Sequence, residues 1–344
     1  MPKLKYFIGS MLVVAALASC SKDDSYDIKG EQQVKFFTNN MGLGNAPENS
    51  ISYNVVNIPD AAGTGIVNLS STFGTAVKFP VLATKPVSQD VTIGAALDNT
   101  LIDKYNAEHN TNYAPFPAGF LTVDGLSAKI AKGATSSSDS FTIATNAAAL
   151  NTLTGKSYMA PIKLTTVSNP AAGEISSNAT IQVTYIVANV EQRLIKYLAV
   201  AADAVGTLQT RTSWTATFTP AAATIGGTGS VLDGSTTSYS RFGVSPVQLD
   251  VNMQAAKNVT GIRLYTSNNA TYIPTQVEVY LSNDGIGYDL VGSPLKANLT
   301  YASSYNYILF YKAIAAKYVR LKLYYSTSTN TQNTRVTEFD VYAN

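Results

Sequence analysis

The chain has 344 residues, with 24 Lys and Arg against 22 Asp and Glu, one Cys and one His. That balance lacks the basic excess of a nucleic-acid binder, and a single Cys excludes an intrachain disulfide. Only 13% of residues are charged, while Tyr occurs 21 times and Trp once; Tyr suits sheet surfaces, where the ring packs and the hydroxyl stays wet, and it suits sugar binding, where a ring face stacks on a pyranose.

Lys3 and Lys5 give a positive start, residues 7–18 are apolar apart from Gly9 and Ser10, and the small residues Ala18 and Ser19 precede Cys20. This is the three-part layout of a secretory signal over residues 1–19, too short for a membrane-spanning helix. Leu17-Ala18-Ser19-Cys20 resembles the lipobox of bacterial lipoproteins. The resemblance implies that Cys20 carries acyl chains, palmitate among them, and becomes the mature N-terminus. Several chains anchor firmly, at about 0.8 kcal/mol per buried methylene. Ser21-Lys22-Asp23-Asp24 resembles the export signal of surface lipoproteins in some Gram-negative bacteria, which implies an outer-membrane, surface-exposed location. An ordinary signal peptide with Cys20 incidental is the other reading.

Residues 20–32 are polar, without periodicity, and read as a lipidated tether. Strand signals follow over residues 33–190 in TAVKFPVLA (75–83), QDVTIGAAL (89–97) and ATIQVTYIV (179–187). In the last, alternation puts Ile181, Val183 and Tyr185 on one face and Gln182 and Thr184 on the other. Leu101, Ile102, Tyr105 and His109 have helical spacing, Thr100 with Asp103 has the form of a capping box, and Asn110 is a stop. His109 has no partners at metal-ligand spacing and reads as a helix-end residue.

Asp103, Tyr105 and Asn106, then Phe116-Pro117, Gly133 to Ser136, and Tyr158 with Pro161-Ile162 resemble an N-terminal immunoglobulin-like domain of unknown function over about residues 33–188. Such domains occur on surface lipoproteins of glycan-utilisation systems, and the resemblance implies a β-sandwich spacer.

A boundary falls near residue 190. NVEQRLIKYLAVAADAV (189–205) fits a helix and an opening strand alike. Beyond it, Val247, Leu249, Val251 and Met253 alternate, as do Val277, Val279 and Leu281, and Val319, Leu321 and Leu323. Asn283-Asp284-Gly285 supplies a hairpin turn. Short strands at this spacing predict a sandwich or jelly roll over 191–344. RTSWTATF (211–218), SVLDGSTTSYS (230–240), the strands from Val247 and Val277, AKYVRLKL (316–323) and TRVTEFDVY (334–342) resemble a discoidin domain, the coagulation-factor C-type jelly roll shared by family-32 carbohydrate-binding modules. Tyr288 and Ser240 stand where that family usually has Trp.

The resemblance implies sugar contacts at Arg241, Asn268 and Tyr325, the same loops supply the aromatic residues Phe242 and Tyr272 as further candidates, and the resemblance implies a structural calcium at Asp233, Ser238 and Glu338, whose hard oxygen donors suit Ca²⁺. No Cys–His pair can form, no Gly-x-Ser-x-Gly elbow occurs, and Gly226 to Ser230 lacks the Lys-Ser/Thr of a phosphate loop. The expected protein is all-β, with an Ig-like sandwich and a discoidin-type jelly roll. It is a non-enzymatic surface lipoprotein that captures oligosaccharide for a glycan transporter or glycosidase partner. A structural or adhesion lipoprotein gripping a protein, and a glycosidase accessory subunit without its own ligand, are the alternatives.

Overall fold

A computed structural model describes residues 33–40, 47–123, 125–155, 157–222, 224–226, 231–266, 272–300, 305–326 and 334–344. Cys20, the signal, the tether, the Gly-rich stretch 227–230 and Asn268 lie outside the described residues.

The protein is almost all β, in two sandwiches. In the first, the main sheet runs in the order Ile66–Ser71, Ser50–Pro59, Val183–Gln192, Ser157–Val167, Val91–Leu97, Ser127–Ile130. Two three-stranded sheets complete it: Lys35–Phe37 lies between Glu174–Ile175 and Leu82–Ala83, and Phe141–Thr145 lies between Ala76–Phe79 and Leu121–Thr122. The period-2 residues Val77 and Phe79, Val91 and Ile93, Ala128 and Ile130, and Phe141 and Ile143 meet in one core with Phe36 and Ile186.

The expected alternation at 181–187 is corrected. The strand begins at Val183, and Thr184 and Ile186 are fully buried. Thr184 lies 2.9 Å from the Thr38 hydroxyl; Asn49 joins that cluster, donating to Thr38 Oγ1 at 2.8 Å and to the Val183 carbonyl at 2.6 Å. The opposite face, with Val187, is covered by the helix Thr100–His109, whose Ile102 packs on Met159 and Val187. A central strand covered on both faces shows no clean polar side.

The helix ends as expected, with Asn110 at φ 51° and its N–H on the Asn106 carbonyl. Its start differs. Asn99 is the N-cap without a side-chain bond, and Asp98 accepts from the Thr100 hydroxyl at 2.5 Å and its N–H at 3.2 Å. His109 stacks on Tyr105, centroids 4.2 Å apart.

The segment after Gln192 is neither of the two expected elements. The Arg193 N–H donates to the Asn57 carbonyl of the first sandwich at 2.8 Å. The next residue already belongs to the second: Tyr311 N–H donates to the Leu194 carbonyl at 2.9 Å, and Lys196 N–H to the Leu309 carbonyl at 2.8 Å. Ile195 sits in the C-terminal core. Leu198 turns back at φ 54° and is exposed.

In the second sandwich the sheet order is Thr207–Leu208, Glu338–Ala343, Val247–Tyr265, Asn306–Tyr324, Gln276–Ser282, Asp289–Gly292, with Thr215–Thr219 also on Val247–Tyr265. The two 19-residue strands shift register between Asn252 and Lys257, where Gln254 takes φ 68°. The predicted inward sets Val247–Leu249–Val251–Met253, Val277–Val279–Leu281 and Val319–Leu321–Leu323 are all buried, with Trp214. A buried side chain of this kind contributes about 1.5–3 kcal/mol, which makes this cluster the main support of a domain without disulfides. At the predicted hairpin, Gly285 takes φ 77°, while Asp284 Oδ1 accepts from the N–H groups of Ile286 and Gly287. A short sheet, Thr224–Gly226, Tyr239–Phe242 and Thr334–Val336, closes one part of the domain.

Candidate functional site: the loop end of the C-terminal domain

Tyr239–Phe242 pairs antiparallel with Thr334–Val336, placing Arg241 directly opposite Arg335 and Ser240 opposite Val336. Alternation sorts these side chains. Ser240, Phe242 and Val336 are buried, at 6%, 1% and 0% exposure, while Tyr239, Arg241 and Arg335 are half-buried on the other face. Two like charges opposed across strands repel, and aromatic rings relieve Arg335. Its guanidinium carbon lies 4.2 Å from the Tyr239 ring centre and 4.5 Å from that of Tyr272. Each such contact stabilises by about 0.5–1 kcal/mol at an exposed site, and more when desolvated. Arg335 Nε is enclosed and has no hydrogen-bond partner among the described residues. Leaving such a donor unpaired costs about 1–3 kcal/mol.

The five expected sugar contacts therefore separate. Arg241 and Tyr272 are on or beside the outer face of this small sheet. Phe242 is corrected to a core residue, its ring 4.7 Å from that of Phe218. Tyr325 is corrected as well: it is 7% exposed and its hydroxyl donates to the Arg335 carbonyl at 3.2 Å. Burial pushes its phenol well above the usual range. Neither ring has a free face for a sugar. Asn268 lies outside the described residues. Arg335 and Tyr239 take the central places. The period-2 rule applied to Tyr239–Phe242 was the signal for Tyr239; the pairing of Arg335 with rings from two other segments had none in the sequence.

The expected metal residues do converge. Ser238 Oγ donates to Asp233 Oδ2 at 2.8 Å, and Glu338, 1% exposed, accepts the Gly234 N–H at 2.8 Å. A guanidinium already sits among them. Arg211 Nη1 donates to Glu338 Oε2 and, at 2.9 Å, to the Phe339 carbonyl, and lies 3.1 Å from Asp340 Oδ1. Gly234, at φ 82°, closes the loop over it; a Cβ there would stand 3.4 Å from Arg211 Nη2. The remaining Asp233 oxygen accepts the Ser235 N–H at 2.8 Å. All four carboxylate oxygens of Asp233 and Glu338 thus accept hydrogen bonds, and a fixed cation stands beside them. This donor set does not fit a divalent cation. Arg263 Nε on Asp340 at 2.6 Å extends the network.

Burial pushes the Glu338 carboxyl up to about 7; Arg211 pulls it down and the neighbouring Asp233 pushes it further up. Burial acts upward on Asp233 too, but hydrogen bonds from the Ser235 N–H, Glu338 and Ser238 hold it below the usual carboxylate range.

Comparison with known proteins gives three findings. The family model of the F5/8 type C domain matches residues 208–339, and a model described as a "-like, N-terminal domain" matches residues 46–171. A two-domain protein of unknown function from Bacteroides fragilis is similar in fold over 99% of both chains, at 12% identity and a TM-score of 0.52. Two single modules align with the C-terminal part at a TM-score of 0.32. One is a family 32 carbohydrate-binding module from Clostridium perfringens in complex with galactose, 19% identical over 40% of this chain and 99% of that one. The other is a chitosan-binding module from Paenibacillus sp. IK-5 in complex with chitotriose, 20% identical over 39% and 99%. No curated protein matches the sequence. The F5/8 type C match thus falls on the second sandwich, and the N-terminal-domain match falls on the first.

Proposed function

We propose that the protein is a surface lipoprotein that holds a glycan at the loop end of its C-terminal domain. The observation that carries this is Arg335 set between Tyr239 and Tyr272, with Arg241 opposite it. Rings offer apolar faces to the C–H faces of a sugar, and guanidinium N–H groups meet its oxygens. The F5/8 type C match over residues 208–339 supports a binding module rather than a catalyst. In this reading the chain does no chemistry of its own. Acyl chains on Cys20 hold it to the outer membrane, with Ser21 to Asp24 addressing it to the outside, and captured oligosaccharide passes to a transporter or glycosidase.

The test is a glycan array probed with the purified protein, followed by calorimetry on whichever glycans bind. Saturable binding that Tyr272→Ala weakens supports the reading. Absence of binding to every glycan, or full affinity in Tyr272→Ala and Arg335→Ala together, removes it.

A further inference from the structure

The helix Thr100–His109 carries Asp103, Tyr105 and Asn106, and the last two build the wall of a cleft. Ile102 seats the helix over Met159 and Val187. Beside that seat a space of about 850 Å³ opens between the helix and the strands Ser157–Val167 and Val183–Gln192. Ligand sites span roughly 300–1,000 Å³.

Asn106 fixes the helix side. Its side-chain oxygen accepts the Tyr113 N–H at 2.8 Å and the Thr111 hydroxyl at 2.9 Å, and its amide donates to the Tyr113 carbonyl at 2.9 Å. That clamp brings Tyr113 to the edge of Tyr105, centroids 6.0 Å apart, while His109 stacks on the Tyr105 ring. Tyr105 in turn meets Tyr185 of the sheet at 5.5 Å. Both rings line the cleft and stay half-buried. Side chains held in place before a ligand arrives lower the ordering cost of binding it.

The sheet supplies the other wall. Lys163 lies in register between Val183 and Ala96, four residues beyond Met159 and therefore on the same face. It is half-buried in a central strand, and its ammonium has no hydrogen bond or ion pair among the described residues. The packing of the fold gives no reason for a lysine there. Gln182 and Thr180 line the cleft from a turn held by Asn178 and Asn49. Their side chains, and the hydroxyls of Tyr105 and Tyr185, are likewise without hydrogen bonds among the described residues.

The Lys and Glu charges cancel. Lys163 and Lys104 stand against Glu48 and Glu108. Lys104 and Glu108 are exposed and 3.9 Å apart, a loose pair that costs little to open. Burial holds both phenols above the ordinary tyrosine range. Tyr113 and then Glu48 add to this at Tyr105, as Tyr105 and then Glu108 do at Tyr185. The rings are thus neutral donors with carboxylate acceptors nearby. An ion of either sign meets a like charge in this cleft. A sugar does not: each hydroxyl both donates and accepts, so it uses the carboxylates and the Lys163 and Gln182 donors together, and its C–H face packs on a ring.

We propose that this cleft is a carbohydrate site of the first sandwich, taking a neutral oligosaccharide segment among Tyr105, Tyr185, Lys163, Gln182 and Glu108. It does not depend on the loop end of the C-terminal domain.

Lysine acetylation of the full chain, read by peptide mass spectrometry, tests it, because the readout is local to Lys163. The probes are neutral oligosaccharide pools from cellulose, starch, xylan, mannan, galactan and chitin. At least one pool should slow acetylation of Lys163 severalfold and leave Lys78, exposed on the strand Ala76–Phe79, unchanged. Tyr185→Ala should abolish the protection. Glu108→Gln, an exposed change that leaves the core intact, should raise the concentration needed for protection about tenfold. Equal acetylation of Lys163 with and without every pool would overturn the proposal, as would protection that survives both variants unchanged. Neutral peptides that protect Lys163 where no sugar does would give the cleft to a polypeptide and overturn it equally.

Discussion

The Tyr325 hydroxyl donates to the Arg335 carbonyl at 3.2 Å, across the loop that separates them in sequence. One side chain thus serves the core and the outer face at once. Tyr325→Phe keeps the ring and removes only the tie. It should cost about 1 kcal/mol of stability and weaken glycan binding several-fold. Tyr325→Ala should behave as a core deletion, losing about 3–5 kcal/mol, and Phe242→Ala should match it. Trp214 fluorescence during thermal melting checks both. A Tyr325→Ala protein that melts like the parent and merely binds less would return Tyr325 to the ligand face.

Removing either ring over Arg335 should act on binding first. Tyr239→Ala and Tyr272→Ala should each weaken the bound glycan roughly ten- to hundredfold with little change in melting. Tyr280→Ala is the control. Tyr280 lies on the strand Gln276–Ser282, its hydroxyl donating to Glu278 at 2.7 Å. Calorimetry should find its affinity unchanged.

Chelation should leave the C-terminal domain alone. Arg211 already supplies positive charge to Glu338 and Asp340, so the melting temperature followed at Trp214 should be the same in EDTA and in millimolar calcium. Arg211→Ala leaves the buried Glu338 without its guanidinium partner, while Asp340 keeps Arg263, a loss of about 3–5 kcal/mol. If EDTA lowers the melting temperature of the parent protein, calcium is bound after all and the guanidinium is no substitute.

Glu338 gives the domain a pH dependence of known sign. Its carboxyl is raised from 4.5 to about 7 in the folded protein, so the folded state binds this proton more tightly than the unfolded state. The stability it contributes is complete below about pH 4.5 and is lost as pH rises through about 7. Melting temperatures across pH 5 to 8 should fall, and Glu338→Gln should flatten that slope. An equal slope in the variant would assign the effect to another group.

Much of this architecture is legible in the chain because period-2 burial is local. Val247, Leu249 and Val251 announce their face without reference to anything distant. The reading failed where a second layer arrives from far away. Thr184 looks like a solvent residue until Thr38 and Asn49 close over it from 146 and 135 positions back. At the loop end, aromatic character pointed to Phe242 and Tyr325, whereas both rings are buried and support the core. Glu338 was expected as a metal ligand from the discoidin resemblance; its partner Arg211 is 127 residues away, and nothing in either neighbourhood names the other.

The seam between the sandwiches has no slack: Arg193 is bonded to one and Leu194 to the other. A cut placed downstream of Ile195 removes a core residue from the second domain, so the smallest intact C-terminal unit starts before it.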